Sequence, residues 1–345
     1  MSRELKGRAN SLDIAFRAGV SQATVSRALR GSPLVSRETR LKIEAIAREL
    51  NYKVDKSASN LRTQKSYTLA LLLFEDPTDD NSMINPFFPS MLASITRAAA
   101  AAGYDLLVSF QQFSEDWQAD YEGTHKADGL ILLGYGDYLQ SCAQLERLAA
   151  RGARFVRWGA VRPGQPGVSI GCDNLRGGYE ITRHMLAAGR RRIAFLGEAD
   201  DHYPEFEDRY HGYTEALADA GIEVDPKLVT GAISTERSGF DAAARLLAGG
   251  VEFNGLIAAS DLIAIGAMQA LNEHGLSVPA DVAVAGFDDI PMASYTQPPL
   301  TTVQQDTRHA GEILVDSLLK LIRNEPVASH AIPVKLVVRQ SCGGR

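Results

Sequence analysis

The sequence predicts an α/β protein in two parts. One is an N-terminal all-α head built on a helix-turn-helix; the other is a larger, two-lobed core with parallel sheets. Three observations carry this reading. Residues 11–52 hold two short helical patterns and a longer third, with the phrase Gly19-Val20-Ser21 between the first two. From Tyr67 onward, short apolar runs alternate with amphipathic helices, as in parallel sheets covered on both faces. Charge divides at the same place. Of 36 Lys/Arg and 42 Asp/Glu, residues 1–65 hold 14 and 6, leaving 22 and 36 to the rest of the chain. A basic head on an acidic body is the footprint of a nucleic-acid module joined to something that is not one.

In the head, the first helix ends at Gly19 and a tight turn is expected to bury Val20. Ser21 is placed to cap the second helix, with Val25 and Leu29 inward at i, i+4 spacing and Gln22, Ser26 and Arg27 outward. The third helix runs from about Arg37 to Leu50 behind Ser36. Its apolar stripe is Leu41, Ile43, Ile46, Ala47 and Leu50, and Asn51-Tyr52 ends it. An ordinary three-helix packing unit would look similar; the local basic charge favours a DNA-reading head. Lys53 to Lys65 is polar and basic. It fits a plain linker, or a short helix over Ser57–Arg62 that needs DNA or a partner copy to hold it.

In the core, the strand-like runs are Tyr67–Phe74, Tyr104–Phe110, Gly129–Leu133 and Phe155–Trp158, then Val168–Gly171, Arg192–Leu196, Gly255–Ala259 and Val282–Phe287. Helices fall near Pro89–Ala102, Tyr138–Ala150, Leu175–Ala188, Asp208–Ala220, Ser238–Ala248 and Asp261–His274. The Pro/Gly-rich stretch Val161–Gly167 marks the break between two similar lobes. After Pro298-Pro299-Leu300-Thr301-Thr302 come a helix, Arg308–Ile322, and a strand, Val334–Arg339, returning to each lobe in turn as a three-stranded hinge. The expected division is a head, 1–52, a hinge segment, 53–65, and a two-lobed domain, 66–345. Lobe 1 is about 66–163 with 300–326; lobe 2 is about 164–299 with 327–345. Ligands of such sheets bind at the carboxyl ends of the strands.

The bulk numbers set limits. A chain of 345 residues suits two or three domains, and its 45% hydrophobic and 23% charged residues are those of a globular protein. No apolar run reaches the roughly 18 residues that span a bilayer. Met1–Asn10 is polar, without a signal-peptide core, so the expected location is the cytoplasm with no membrane partner. Cys142, Cys172 and Cys342 are far apart and form no C-x-x-C pair, so free thiols are expected. Gly134-Tyr135-Gly136 follows a strand, but Leu139 stands where the third glycine of a dinucleotide fingerprint belongs. No phosphate loop ending in Gly-Lys-Ser/Thr occurs, no Ser/His/Asp set is recognisable, and Asp200-Asp201-His202 reads as a polar loop rather than a metal site. No enzyme activity, cofactor or metal is expected.

Seven motifs, in order and at matching spacing, resemble the lactose-repressor (LacI/GalR-type) family of bacterial transcription regulators. The head carries Asp13-Ile14-Ala15 leading into Gly19-Val20-Ser21-Gln22-Ala23-Thr24-Val25-Ser26-Arg27, then Val35–Arg40 and Leu50-Asn51-Tyr52. The body carries Asn85-Pro86-Phe87-Phe88, Asp128-Gly129-Leu130-Ile131, Gly286-Phe287-Asp288-Asp289 with Pro298–Val303, and Leu336–Ser341. The likeness runs from Leu12 to Ser341. It implies a homodimer, a periplasmic-binding-protein-like core that holds a small effector, and heads that bind palindromic double-stranded operator DNA.

By position, Gln22, Ala23 and Arg27 match the family's base readers. Arg27 suits a guanine edge, Gln22 suits adenine, and Ala23 offers a methyl contact. Ser21, Thr24, Ser26 and Tyr52 suit phosphates. Capping or packing is an equal reading for Ser21 and Ser26. In the hinge segment, Leu61 matches the leucine that wedges into the minor groove, and Ser59 and Arg62 are expected to contact DNA beside it. The effector candidates matched by the resemblance are Asn85, Phe87, Arg157, Trp158, Asp173, Arg209, Ser260 and Asp288; lobe core is the alternative for Trp158. Three positions depart from the family pattern: Val54 where proline is common, Ser11 where a hydrophobic residue is usual, and Arg157 where an acid often sits. That arginine leaves an acidic or phosphorylated sugar open beside a neutral one. The functional expectation is a sequence-specific DNA-binding regulator, a repressor under control of a small sugar-derived effector. A transport-type sugar-binding protein shares only the body, and an α/β enzyme would need a motif that is not visible.

Overall fold

The computed structural model describes residues 9–29, 31–52, 65–74, 85–111, 116–134 and 136–343. The chain separates into two compact units, 1–65 and 66–345. Ser59, Leu61 and Arg62 lie outside the described residues.

In the smaller unit, α1 is Ser11–Ala18, α2 Gln22–Leu29 and α3 Arg37–Glu49. Asn10 caps α1 in a reciprocal box, and the Asp13 carboxylate accepts the Asn10 N–H at 2.9 Å. The helix stops because Gly19 takes a left-handed conformation (φ 72°) and donates its N–H to Ala15 and Phe16. Ser21 Oγ accepts the Thr24 N–H at 3.2 Å, the expected start of α2. Ile14, Ala18, Val25, Ala28, Val35, Ile43 and Ala47 close one small core, with Val20 and Leu29 half-buried at its edge rather than inside it. Leu41 departs from the expected stripe and is exposed. It precedes Ile43 by two residues, about 200° around the helix, and so faces away from the core.

The larger unit holds, in chain order, β1 Thr68–Leu73, α4 Phe87–Ala101, β2 Asp105–Phe110, β3 Leu130–Leu133, α5 Tyr138–Ala150, β4 Phe155–Trp158 and β5 Val168–Cys172. Then come α6 Asn174–Ala187, β6 Ile193–Leu196, α7 Pro204–Asp219, β7 Val229–Thr230, α8 Glu236–Ala248, β8 Gly255–Ala258, α9 Asp261–Glu273 and β9 Ala283–Asp288. The chain closes with β10 Thr301–Gln304, α10 Thr307–Ile322, β11 His330–Ile332 and β12 Lys335–Val337. One lobe carries the sheet β11-β5-β4-β3-β1-β2 and the other β12-β10-β9-β8-β6-β7. The pairing of β10 with β12 is antiparallel. β1 and β3 are almost wholly buried Leu/Ile runs, as strands covered on both faces require. Among the described residues no helix is long and apolar enough to cross a membrane.

The expected lobe limits need correcting in three places. β5 pairs with β4 in the first sheet (Val156↔Val168) and does not open the second lobe. The Pro/Gly stretch before it is a loop within one lobe: the Gly159 N–H donates to the Ile170 carbonyl at 2.9 Å. Gly171 lies so close to Gly159 that a Cβ there would collide with its carbonyl oxygen. β10 belongs to the second sheet, not the first lobe, and β11 to the first sheet, not the second lobe. The helix between them, α10, packs on α4, β3 and β4 of the first lobe. The chain therefore passes between lobes at 173–174, 305–306 and 333–334, the expected three-segment joint.

Candidate functional site

Parallel strands place their carboxyl ends along one line, and those ends carry the candidate residues. β4 ends in Arg157-Trp158 and β9 in Asp288. β8 runs into Ala259 and Ser260, which caps α9, and Asn85 leads into α4. Six of the eight candidates meet in two groups. In the first, Asn85 Nδ2 donates to Ser234 Oγ at 3.1 Å and Ser234 Oγ donates to Ser260 Oγ at 2.9 Å, a hydrogen-bonded path from one lobe to the other. Phe87 and Trp158 stand beside it with ring centres 5.9 Å apart.

In the second group, Arg209 is 1% exposed and Asp288 2%. Arg209 Nη1 lies 3.6 Å from Asp288 Oδ1 and also donates to the Ala259 carbonyl; Nε donates to Asn174 Oδ1 at 2.8 Å. The guanidinium lies over the Phe287 ring, 3.7 Å from its centre. A buried ion pair holds only when hydrogen bonds support its charges, and Asn174 Oδ1 and the Ala259 carbonyl do that for Arg209. Gln305, in an inter-lobe crossing, donates Nε2 to Asp288 Oδ1 at 2.6 Å.

The end of β9 is strained. Asp288 (φ 116°) and Asp289 (φ 56°) both lie at positive φ. The turn sends the two carboxylates apart, Asp288 to Arg209 and Asp289 to Arg339 at 2.7 Å. Behind them Asp261 is fully buried; burial and then the Asp288 charge push its carboxyl well above the usual range. It accepts from the Thr302 hydroxyl at 2.6 Å and from the Ile290 N–H at 2.9 Å.

The remaining two candidates stand apart. Asp173 accepts the Arg176 N–H at 3.0 Å as the cap of α6, and its own N–H donates to the Ile332 carbonyl of the neighbouring strand β11. Arg157 is fixed by Ser169 Oγ at 2.8 Å and by the Tyr138 ring beneath its guanidinium. Burial pulls the Arg157 pKa down from its usual value while nearby Glu205 and Tyr138 pull it up. A cavity of about 50 Å³ opens there, lined among others by Phe74, Trp117, Tyr138, Arg157, Trp158 and Glu205. A broader basin of about 740 Å³ at Arg192, Lys227 and Arg245 includes none of the candidates.

Sequence reading missed Asn174, Glu205, Ser234, Asp261 and Gln305. Glu205 carries the most consequence: it reaches from α7 to accept the Ala160 N–H of the other lobe at 2.7 Å while buried. The only sequence signal was a run of acids at a helix start. The cysteines are free; burial pushes the Cys172 thiol up to about 12 and Cys342 up to about 11, so both stay protonated and inert.

On the head, Gln22, Ala23 and Arg27 project from α2 into solvent, Thr24 and Ser26 are half-buried beside them, and Tyr52 is half-buried against the core. Gln22 Nε2 donates to Ser11 Oγ at 2.8 Å, so the unusual Ser11 orients one of the proposed base-reading side chains. Ser21 is engaged in capping as well as lying on this face.

A helix-turn-helix unit and a two-lobed, periplasmic-binding-protein-like domain in one chain define a class of bacterial transcription regulators. Residues 12–55 match the model for bacterial regulatory proteins of the lacI family, and 182–342 match the periplasmic binding protein-like domain. The HTH-type transcriptional regulator RegA of Clostridium saccharobutylicum is 30% identical over 95% of this chain and 98% of its own. Among solved structures, the CelR–cellobiose complex covers 97% of this chain and 100% of its own (30% identity, TM-score 0.70). The lac repressor dimer bound to operator and the anti-inducer ONPF covers 97% and 99% (28% identity, TM-score 0.82). The chain belongs to the lacI family of bacterial regulatory proteins.

Proposed function

We propose that this regulator is a cytoplasmic homodimer and a repressor. Its head, 1–52, binds a palindromic operator, and residues 66–345 take a small sugar or sugar-derived effector through the cleft residues named above, acting on DNA binding through 53–65. The observation that carries the effector reading is the meeting of Arg209–Asp288 and Asn85–Ser234–Ser260 near strand ends, with the Phe87 and Trp158 rings, themselves buried in the core, close to the Asn85 group. Hydrogen-bonding side chains beside aromatic surface suit hydroxyl pairs on one side of a sugar and C–H groups on the other. Cellobiose in CelR and the operator-bound dimer of lac repressor support the ligand class and the assembly. A thermal-shift screen of mono- and disaccharides, sugar acids and sugar phosphates tests it. A true effector raises the unfolding temperature, and the rise continues logarithmically with ligand concentration above its Kd; a screen without any response counts against the reading.

On the head, Arg27 is the proposed guanine reader, with Gln22 and Ala23 beside it and Ser21, Thr24, Ser26 and Tyr52 on phosphates. Arg27→Ala should cost about 1–3 kcal/mol per half-site and relax specificity at one base pair. Gel shifts on a palindromic operator and its point variants measure both; equal loss on every variant assigns Arg27 to phosphate instead. Ser59, Leu61 and Arg62 complete the proposed DNA contacts. Leu61→Ala should weaken operator binding while effector affinity of the free protein stays unchanged. Operator binding as tight as the parent's would make 53–65 a passive linker.

A further inference from the structure

We infer that the segment leading into α7 is a latch between the lobes, and that protonation of His202 helps to hold the effector cleft shut. This rests on the cleft being the effector site and adds a regulation of it. Four residues of the first lobe, Asp137, Tyr138, Ala160 and Arg162, reach across to residues 202–208, all outside the Arg209–Asp288 group. His202 Nδ1 lies 2.8 Å from Asp137 Oδ2. The Tyr138 N–H donates to the His202 carbonyl at 2.9 Å, and the Ala160 N–H donates to Glu205 at 2.7 Å. Arg162 donates to Glu207 at 2.7 Å, to Asp208 at 3.1 Å and to the Pro204 carbonyl at 2.8 Å. Separating the lobes breaks all of them together.

Of these partners His202 is the group whose ordinary titration lies near neutrality. The charges facing it are acidic: Asp137 across the gap, with Glu198 and Asp200 on its own loop. The Asp137 hydrogen bond raises its pKa in the closed arrangement. Opening removes Asp137 and returns the ring toward its ordinary value. Closure therefore takes up protons. The latch contribution is fully present below the ordinary imidazole value and is lost as pH rises through the raised one. Asp137 keeps its charge throughout this window, because the His202 hydrogen bond and the Gln140 N–H hold its carboxyl below the usual range against the opposing effect of burial. His202 is exposed, so the effect is that of a surface ion pair.

Hydrogen exchange on the full chain without added ligand tests this directly. The amides of Tyr138 and Ala160 are bonded only across the closed latch, while those of β1 and β8 report the fold itself. Corrected for intrinsic rates, protection at Tyr138 and Ala160 should fall roughly two- to five-fold between about pH 6 and about pH 9, with β1 and β8 unchanged. Asp137→Asn keeps the helix cap on Gln140 and removes the charge; it should flatten that pH dependence. Flat protection in the parent overturns the proposal, and so does an equal slope in Asp137→Asn. Neither result touches the effector reading, because no ligand is present.

Discussion

Replacing Asp288 by alanine is expected to abolish the effector response while leaving operator binding by the free protein close to parental. Asp288 is buried opposite Arg209 at 3.6 Å and receives Gln305 from an inter-lobe crossing at 2.6 Å. It therefore touches the proposed ligand group and the joint at once. Breaking a buried pair costs about 3–5 kcal/mol because the remaining charge is left uncompensated. Arg209 keeps the Ala259 carbonyl and the Asn174 oxygen, which places the cost at the lower end. The head has a core of its own around Ile14, Val25 and Ile43, so its fold does not depend on this loss. Asp288→Asn separates the two effects. It keeps the shape and an acceptor for Gln305, and should lose the response with a smaller loss of stability. Titration calorimetry, gel shifts with and without effector, and urea unfolding of both variants measure each part. By linkage, whatever effector does to operator affinity, operator must do to effector affinity by the same factor. A normal response from Asp288→Ala would remove the cleft from the effector reading.

The helix-turn-helix was legible because its signals are local: Gly19 at a helix end, Ser21 as a cap, and Val25 one turn before Leu29. The sheets were legible as apolar runs, yet their assignment to lobes failed where chain order and space diverge. The loop before β5 looks like a linker by composition, but it joins two adjacent parallel strands. β10, Thr301–Gln304, carries no apolar run, because its two threonines are buried and bonded to Asp261, Arg339 and Ser341 rather than packed as hydrocarbon. β7, two residues long, leaves no period to detect. The site residues supplied by resemblance mostly meet, whereas their supports Asn174, Glu205, Ser234 and Gln305 were missed. A polar residue that becomes buried by reaching another lobe leaves no trace in local pattern. Asp173 shows the converse: it stands at the right strand end and its side chain is engaged in capping α6.

The second large effect is expected from one methyl group placed where no ligand binds. α6 and α7 meet through Gly178 and Gly212. A Cβ on Gly178 would lie 2.1 Å from the Arg209 carbonyl oxygen and 2.9 Å from the Arg209 Cα; one on Gly212 would lie 2.1 Å from the Leu175 carbonyl oxygen. Each obstacle is backbone, which cannot swing aside as a side chain does, so Gly178→Ala must push the helices apart. Overpacking of a tight core costs about 1–3 kcal/mol, and a backbone obstacle puts this variant at the upper end. The displaced residue is Arg209 itself, whose guanidinium is aligned on Ala259, Asn174 and Phe287. Effector affinity should therefore fall together with stability, although position 178 is not itself a proposed ligand contact. Gly249→Ala supplies the control. It lies at the end of α8 with right-handed backbone (φ −70°), and a Cβ there meets nothing closer than 3.4 Å. That exchange should be neutral or stabilise by about 0.4–1 kcal/mol, by narrowing the unfolded ensemble. Urea unfolding of the two variants side by side decides the matter: equal midpoints would mean that α6 and α7 accommodate the methyl by sliding, and that Arg209 is not held by their contact.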